Sequence, residues 1–468
     1  MRDFAASDNP AVQTQLDRLA ALSLPQGRFG LETIRELLNR LGNPQASIPP
    51  AFHVAGTNGK GSTCAYLRAM LEAQGLRVHS ATKPHLVRYN ERIRLAGALI
   101  SNDLLAELLA EVLDIGADLN PSFFEVTTAA MVLAFARVPA DVCVIEVGLG
   151  GRFDATNVLE TAVACGIATL GIDHEAFLLR EEVGVPQDPL ARIAFEKASI
   201  AKPGVPLVTQ AYPRDIAAEV ARTAAAHGAP LIMRGAEWWA KAGDDGITYR
   251  DRHGELILPL PTLAGAHQAD NAALAVALLR HQDVIAVSEA AMAEGISSAR
   301  WPARLQLLGA GPLTALVPGR KVWLDGGHNP DAGLAIAEFF ATNLAPGAST
   351  GSARAGLIHV SNPNPAQPEP VEGSAQRVHL IIGMLANKDP GAIIAPLHDR
   401  LLSVSVVPAP GHEAHPPEAF AAYTDLPVRS FADVKTALSD LPAQGDVLIA
   451  GSLYLAGEVL RLNLEVPD

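Results

Sequence analysis

From residue 51 onward, short apolar runs alternate with amphipathic stretches, and this alternation constrains the chain more than any other feature. A repeated strand–helix–strand order packs stably as a parallel sheet with helices on both faces. Strands are expected at 52–55, 142–147, 162–169 and 207–210, separated by helices near 103–114, 126–137, 190–201 and 214–227. The first unit runs from the strand through a glycine-rich turn into a helix that starts near Ser62 and ends at Gly75, a residue suited to the step after a helix. Helical character at 262–282 and on to about Ile296 stops at Ser297, Ser298 and Trp301-Pro302, because proline disfavours helix at the preceding residue. Beyond this break the alternation restarts, with strands near 321–325, 377–382, 403–407 and 446–450 and helices near 331–342, 390–401, 432–440 and 453–461. Two doubly wound domains are therefore expected, over 1–298 and 299–468. The stretch 346–376, rich in Gly, Ser, Ala, Pro and Asn, interrupts the second and reads as an exposed, flexible insertion.

A chain of 468 residues is too long for one ordinary core, and 49% hydrophobic with 18% charged residues suits packed globular structure. A net charge of -14 opposes a nucleic-acid partner, which needs Lys and Arg to neutralise phosphates. Cys64, Cys143 and Cys165 lie in apolar stretches without metal-type spacing and read as buried thiols of a reducing compartment. No apolar run reaches the ~18 residues needed to span a bilayer, and the N-terminus lacks a signal-peptide core. The expectation is a cytoplasmic protein with no membrane and no nucleic-acid partner.

The turn after the first strand reads Ala55-Gly56-Thr57-Asn58-Gly59-Lys60-Gly61-Ser62. Glycines admit phosphate close to the backbone, and the N–H groups at the helix start attract negative charge. Lys60 supplies a cation for the β/γ oxygens and Ser62 a hydroxyl for Mg²⁺. The match to the standard phosphate loop is imperfect, since Val54 stands where its first glycine would be and Gly61 separates Lys60 from Ser62. The fold class is α/β: a P-loop ATPase-type domain with a mostly parallel sheet, plus a smaller Rossmann-like C-terminal α/β domain. Glu146 ends the apolar strand 141–147, and Asp173-His174 follow the next strand, so three candidate oxygen or nitrogen ligands share the carboxyl rim of the sheet.

Several separated motifs resemble the Mur ligase superfamily and, within it, the dihydrofolate synthase/folylpolyglutamate synthase family. They are the phosphate loop, Pro84-His85-Leu86-Val87-Arg88-Tyr89-Asn90-Glu91-Arg92, Phe123-Phe124-Glu125, the run from Glu146 to Asn157, Glu196-Lys197-Ala198-Ser199-Ile200, His267-Gln268 with Asn271, Trp301-Pro302-Ala303-Arg304, Asp325-Gly326-Gly327-His328-Asn329-Pro330 and Gly451-Ser452-Leu453-Tyr454. The resemblance implies an ATP-dependent ligase that phosphorylates the carboxylate of dihydropteroate or a folate glutamyl tail, then joins L-glutamate to it as an amide. It assigns Asn58, Gly59, Lys60, Gly61, Ser62, Asn271, Arg304 and Asp325 to ATP, and Glu146, His174 and Ser62 to Mg²⁺, with K⁺ left open as a further cation. Lys60, Lys197 and His328 are the implied catalytic residues, Lys197 as a carbamate formed from CO₂. Its alternative reading is a helix-surface lysine paired with Glu196. The pterin end is implied at Phe29, Gly30 and Leu31, at Ser122, Phe123, Phe124 and Glu125, and at Phe153, Asp154 and Ala155, with core packing as the alternative for each Phe. The relatives imply a monomer whose site closes between its domains.

Three departures stand out. Lys83 occupies the position before Pro-His-Leu where the family usually has a metal-binding Ser, so one metal site is either altered or uses Thr82 or water, or the cation meets phosphate itself. The stretch between His174 and Lys197, including 180–188, is longer than the family norm and forms either a lid or a surface bulge. Gly327 stands where many relatives carry Ala. Competing readings are a monofunctional folylpolyglutamate synthase, another Mur-type amino-acid ligase, and a non-catalytic P-loop nucleotide-binding protein.

Overall fold

The computed structural model describes residues 6–22, 30–173, 175–343 and 377–468, so Phe29, His174 and the 346–376 insertion lie outside the described residues. The chain forms two units, one of Met1–Gln306 with Ala456–Asp468 and one of Leu307–Leu455. The division thus falls at 306/307 rather than 298/299, and the last residues cluster with the first unit instead of the second.

The first unit holds an eight-stranded sheet built from β1 (Ala51–Ala55), β2 (Val78–Ala81), β3 (Ile93–Leu95), β4 (Ala98–Leu99), β5 (Val142–Glu146), β6 (Ala164–Ile167), β7 (Leu207–Thr209) and β8 (Leu231–Met233). Their order is β4-β3-β2-β5-β1-β6-β7-β8. From β2 to β8 all pairs are parallel, while β3 and β4 turn antiparallel at the edge. Every residue of β1 and β5 is buried, as expected of strands covered on both faces. One face packs on the helices His267–Arg280 and Glu289–Ser298 through Leu274, Leu278 and Ile296, and the other on Asn102–Ile115 and Phe123–Arg137 through Leu109, Val126 and Ala130. Register sets the site: Ala81 lies level with Ile145, Val54 with Glu146 and Ala55 with Ile167, so the carboxyl ends of β2, β5, β1 and β6 stand side by side.

Some expectations shift. The helix expected from 262 begins at His267, because Gly265 takes a left-handed φ of +102°. An unexpected antiparallel sheet follows the main one, formed by β9 (Trp238–Gly243), β10 (Gly246–Asp251) and β11 (Gly254–Leu258). Ile247, Tyr249 and Asp251 point inward while Thr248 and Arg250 face out, the period of two that a half-covered strand requires. Asp251 is buried against Arg280, whose Nε and Nη2 each donate to it at 2.7 Å.

The second unit holds a sheet of β12 (Gln306–Leu307), β13 (Val322–Leu324), β14 (Val378–Ile382), β15 (Leu401–Val406), β16 (Val428–Ser430) and β17 (Asp446–Ala450) in the order β12-β13-β17-β14-β15-β16. The pairs from β13 to β16 are parallel. The helix expected over 390–401 stops at Leu397, one residue after Pro396, and β15 begins at Leu401. Among the described residues, no helix is long and apolar enough to cross a membrane.

Candidate active site

The rim of the first sheet is built by the turn after β1. Gly59 has a φ of +82°, and the helix Lys60–Ala73 begins there with no side chain capping its first N–H groups. These donors are the ones a helix leaves unpaired, and they make an anion seat. A Cβ at Gly61 would stand 2.5 Å from the Trp301 ring, and one at Gly59 2.4 Å from Asn271 Oδ1. The glycines therefore let Asn271 and Trp301 close over the loop. Thr57 Oγ1 donates to Gly171 O at 2.8 Å and Thr169 Oγ1 to Asn58 O at 3.0 Å, which ties the loop to the end of β6. Lys60 folds back, its Nζ donating to Gly56 O at 2.8 Å and Thr57 O at 3.0 Å. Burial pulls its pKa below the ordinary lysine value, against the attraction of Glu146 and Asp173. A cradle of close backbone, an uncapped helix start and a buried lysine fits a polyphosphate.

Glu146, only 3% exposed, ends β5 and accepts the Lys83 backbone N–H at 3.0 Å. Burial pushes its carboxyl up, while Lys60, that N–H, Arg304 and Lys83 pull the other way. Ser62 is buried in the first turn of the same helix as Lys60. Among the described residues, no three His, Cys, Asp or Glu side chains cluster as a metal cage. Of the expected metal set, only Glu146 and Ser62 are described. Arg304 sits between Ala303 at φ +55° and Leu305 at φ +46°, two non-glycine residues in the left-handed region that mark a strained turn.

Asp154 accepts four donors, Gly148 N at 3.0 Å, Leu149 N at 2.9 Å, Thr156 N at 3.0 Å and Thr156 Oγ1 at 2.5 Å. Burial alone would raise its pKa, but Lys83 and these hydrogen bonds hold it below the usual carboxylate value. Behind it, His53 Nε2 bonds Thr156 Oγ1 at 2.8 Å, and burial pushes the imidazole down to about 3, so it stays neutral.

Lys197, 5% exposed, lies in the helix Pro189–Ala198 and is not a surface lysine paired with Glu196. Successive residues point to different sides of a helix. Glu196 instead takes Arg152 at 2.8 Å and Arg192 at 3.0 Å. Burial first, and then repulsion from Lys60, lowers Lys197 to about 7, while Asp173, Asp154 and Glu196 oppose the shift. Glu182, in the long stretch after His174, bridges Arg152 at 2.6 Å and Arg192 at 2.9 Å, which pins that stretch to the helix.

The expected pterin residues are more dispersed in role. Leu31 is 6% exposed and packs in the core beside Ile34 and Leu37. Gly30 precedes it, half-buried. Ser122 and Glu125 form a capping box, with Glu125 N donating to Ser122 Oγ at 3.3 Å and Ser122 N to Glu125 Oε2 at 2.7 Å. Phe123 packs edge-on between Tyr89 and Phe124, and Phe124 is 40% exposed. Phe153 carries the Arg152 guanidinium 4.2 Å above its ring, and Ala155 is buried in the following turn.

In the second unit, Asp325 and His328 lie in the loop after β13. Gly327 N donates to Asp325 Oδ1 at 2.6 Å, and His328 Nδ1 bonds Gly326 O at 3.0 Å. Gly451 N donates to Gly327 O at 3.2 Å, so the Gly451–Tyr454 run meets this loop at one rim of that sheet. The Tyr454 and His412 ring centroids lie 3.8 Å apart, with the planes tilted by 30°.

A scan against models of protein families gives no match. The chain is 34% identical to the dihydrofolate synthase/folylpolyglutamate synthase of Bacillus subtilis over 66% of its own length and 71% of the relative's. It is 32% identical to the enzyme of the same name from Escherichia coli over 93% of its length and 91% of the relative's. Among solved structures, a bifunctional folylpolyglutamate synthase/dihydrofolate synthase from Yersinia pestis, complexed with AMPPNP and Mn ion, superposes with a TM-score of 0.77 at 27% identity, covering 98% of this chain and 99% of that one. The chain belongs to the dihydrofolate synthase/folylpolyglutamate synthase family.

Proposed function

We propose that this chain joins L-glutamate to the carboxylate of dihydropteroate and to the glutamyl tail of folates. Its relatives are ATP-dependent ligases. The observation that carries the reading is electrostatic. Lys60, Lys83 and Arg304 all pull on the buried Glu146 carboxyl, so three cations gather at a buried rim beside an uncapped helix start. Such a rim suits a triphosphate and a second anion.

The chemistry is two displacements. An oxygen of the acceptor carboxylate attacks the γ-phosphorus, the bond to the bridging oxygen breaks, and ADP leaves. The glutamate nitrogen then attacks the acyl carbon, phosphate departs with its oxygen, and the nitrogen loses a proton. Lys60 and the loop N–H groups hold phosphoryl oxygens where negative charge develops, and Asn271 and Arg304 steady the nucleotide. Glu146, Ser62 and His174 would hold Mg²⁺, which would neutralise charge on those oxygens. Lys197 is the proposed carbamate. A neutral amine adds to CO₂ and releases a proton, and a lysine near 7 is about half neutral at pH 7. Roles for Asp325 and His328 rest on the resemblance alone.

Phosphate release with ATP, Mg²⁺ and glutamate, offering dihydropteroate and tetrahydrofolate separately, tests the assignment. Glutamate-dependent release is expected with both. Release without glutamate, or only with a uridine-linked peptide, overturns it.

A further inference from the structure

We propose that Lys83 is a catalytic residue whose ammonium seats the carboxylate of the acceptor acid. The inference rests on the ligase reading above and names a residue for one part of its substrate.

Lys83 follows β2, whose end lies beside β5 and two strands from the phosphate loop after β1. With strands spaced ~4.8 Å, the ends of β2 and β1 are about 10 Å apart. Glu146, at the end of β5 between them, takes the Lys83 backbone N–H. The Lys83 side chain is 12% exposed and lies along Gly148, where a Cβ would stand 3.1 Å from its Cδ and 3.3 Å from its Nζ. It is thus held in place by backbone on one side.

Its charge has no hydrogen-bonded partner among the described residues. The nearest carboxylate oxygen, Asp154 Oδ1, is 3.9 Å away, beyond hydrogen-bond range. Asp154 is already satisfied by its four donors. An ammonium has three N–H donors and no acceptor. A nearly buried one with all three unspent is costly unless an anion completes it. Asp154 supplies long-range balance but leaves the donors open, as a ligand site requires.

The position selects the anion. Phosphoryl groups have Lys60 and the uncapped helix start. Lys83 stands on the far side of Glu146, next to the loop of Phe153, Asp154 and Ala155. A carboxylate held there is separated from the phosphate loop by the end of β5 alone, the side from which an oxygen would approach a phosphate seated in that loop. Restraining it also lowers the entropic cost of bringing two anions together.

The test compares dihydropteroate with its primary carboxamide, both titrated into protein saturated with ADP, in wild type and in Lys83→Met. Wild type is expected to prefer the acid by about 10-fold or more, the worth of a hydrogen bond to a charged group. In Lys83→Met the preference falls to near unity while ADP affinity is unchanged, and Lys83→Arg restores part of it. Preference retained in Lys83→Met overturns the proposal. So does an equal loss for acid and carboxamide, which marks a structural role through Asp154, or a weakened ADP affinity with the preference intact, which marks a phosphate contact. Should Lys83→Met fold poorly, a structure of the wild type with dihydropteroate decides: a carboxylate oxygen within about 3.2 Å of Nζ supports the assignment and a distant one refutes it. Wild type that binds neither compound overturns the ligase reading itself.

Discussion

Replacing Lys197 by Met is expected to stabilise the first unit while removing the proposed carbamate. Burial moves this lysine from 10.5 to about 7, a shift of about 3.5 units. At ~1.36 kcal/mol per unit, the cost of keeping it protonated in the fold is at most roughly 5 kcal/mol. Relaxation and neighbouring carboxylates reduce this, and exchanging buried charge for a well-packed apolar group is worth about 1–4 kcal/mol in practice. The sign with pH is fixed. Below about 7 both folded and unfolded chains carry the proton, and the penalty is complete. Between about 7 and 10.5 the unfolded chain binds one more proton than the folded one, so wild-type stability rises by ~1.4 kcal/mol per pH unit. Met does not titrate, and other groups cancel in the difference, so the advantage of Lys197→Met is largest at and below neutral pH and shrinks toward pH 10. Urea unfolding of both proteins at several pH values in CO₂-free buffer measures this. Added bicarbonate should stabilise wild type alone. A stability difference that is flat or widens as pH rises refutes the argument.

Gly61→Ala places a Cβ against the Trp301 ring, and such overpacking costs about 1–3 kcal/mol; ADP affinity by calorimetry should fall severalfold, and an unchanged value would show that Trp301 yields freely. Glu182→Gln leaves Arg152 and Arg192 sharing Glu196 alone, which should destabilise the 179–188 stretch by about 1–3 kcal/mol. Limited proteolysis should then cut that stretch faster than in wild type, and equal rates would show that the pins contribute nothing.

What was legible in the sequence was local. β1 and β5 could be read because strands covered on both faces are unbroken apolar runs, and the phosphate loop because its glycines and lysine are neighbours in the chain. The sheet of β9, β10 and β11 carried a readable signal too, alternation at 247–251 beside Asp244-Asp245-Gly246, but two-residue periods over short strands are easily lost among helices. The spacing of Ser122 and Glu125 likewise announces the capping box that the structure contains. The charge web was not legible at all. Lys83 meets Asp154, and Glu182 meets Arg152, only because the sheet order interleaves distant segments, and no spacing rule encodes such pairs.

The return of Ala456–Asp468 to the first unit has a consequence for synthesis. Arg88 Nη2 donates to Pro467 O at 2.7 Å, which braces the segment just beyond Lys83, and Gln306 Nε2 donates to Glu465 Oε2 at 3.0 Å, which ties down the start of β12. A ribosome adding ~5–20 residues per second delivers them on the order of ten seconds after the body of that unit has emerged. Until then Arg88 and Gln306 lack these partners, and chaperones have that interval in which to engage the unit.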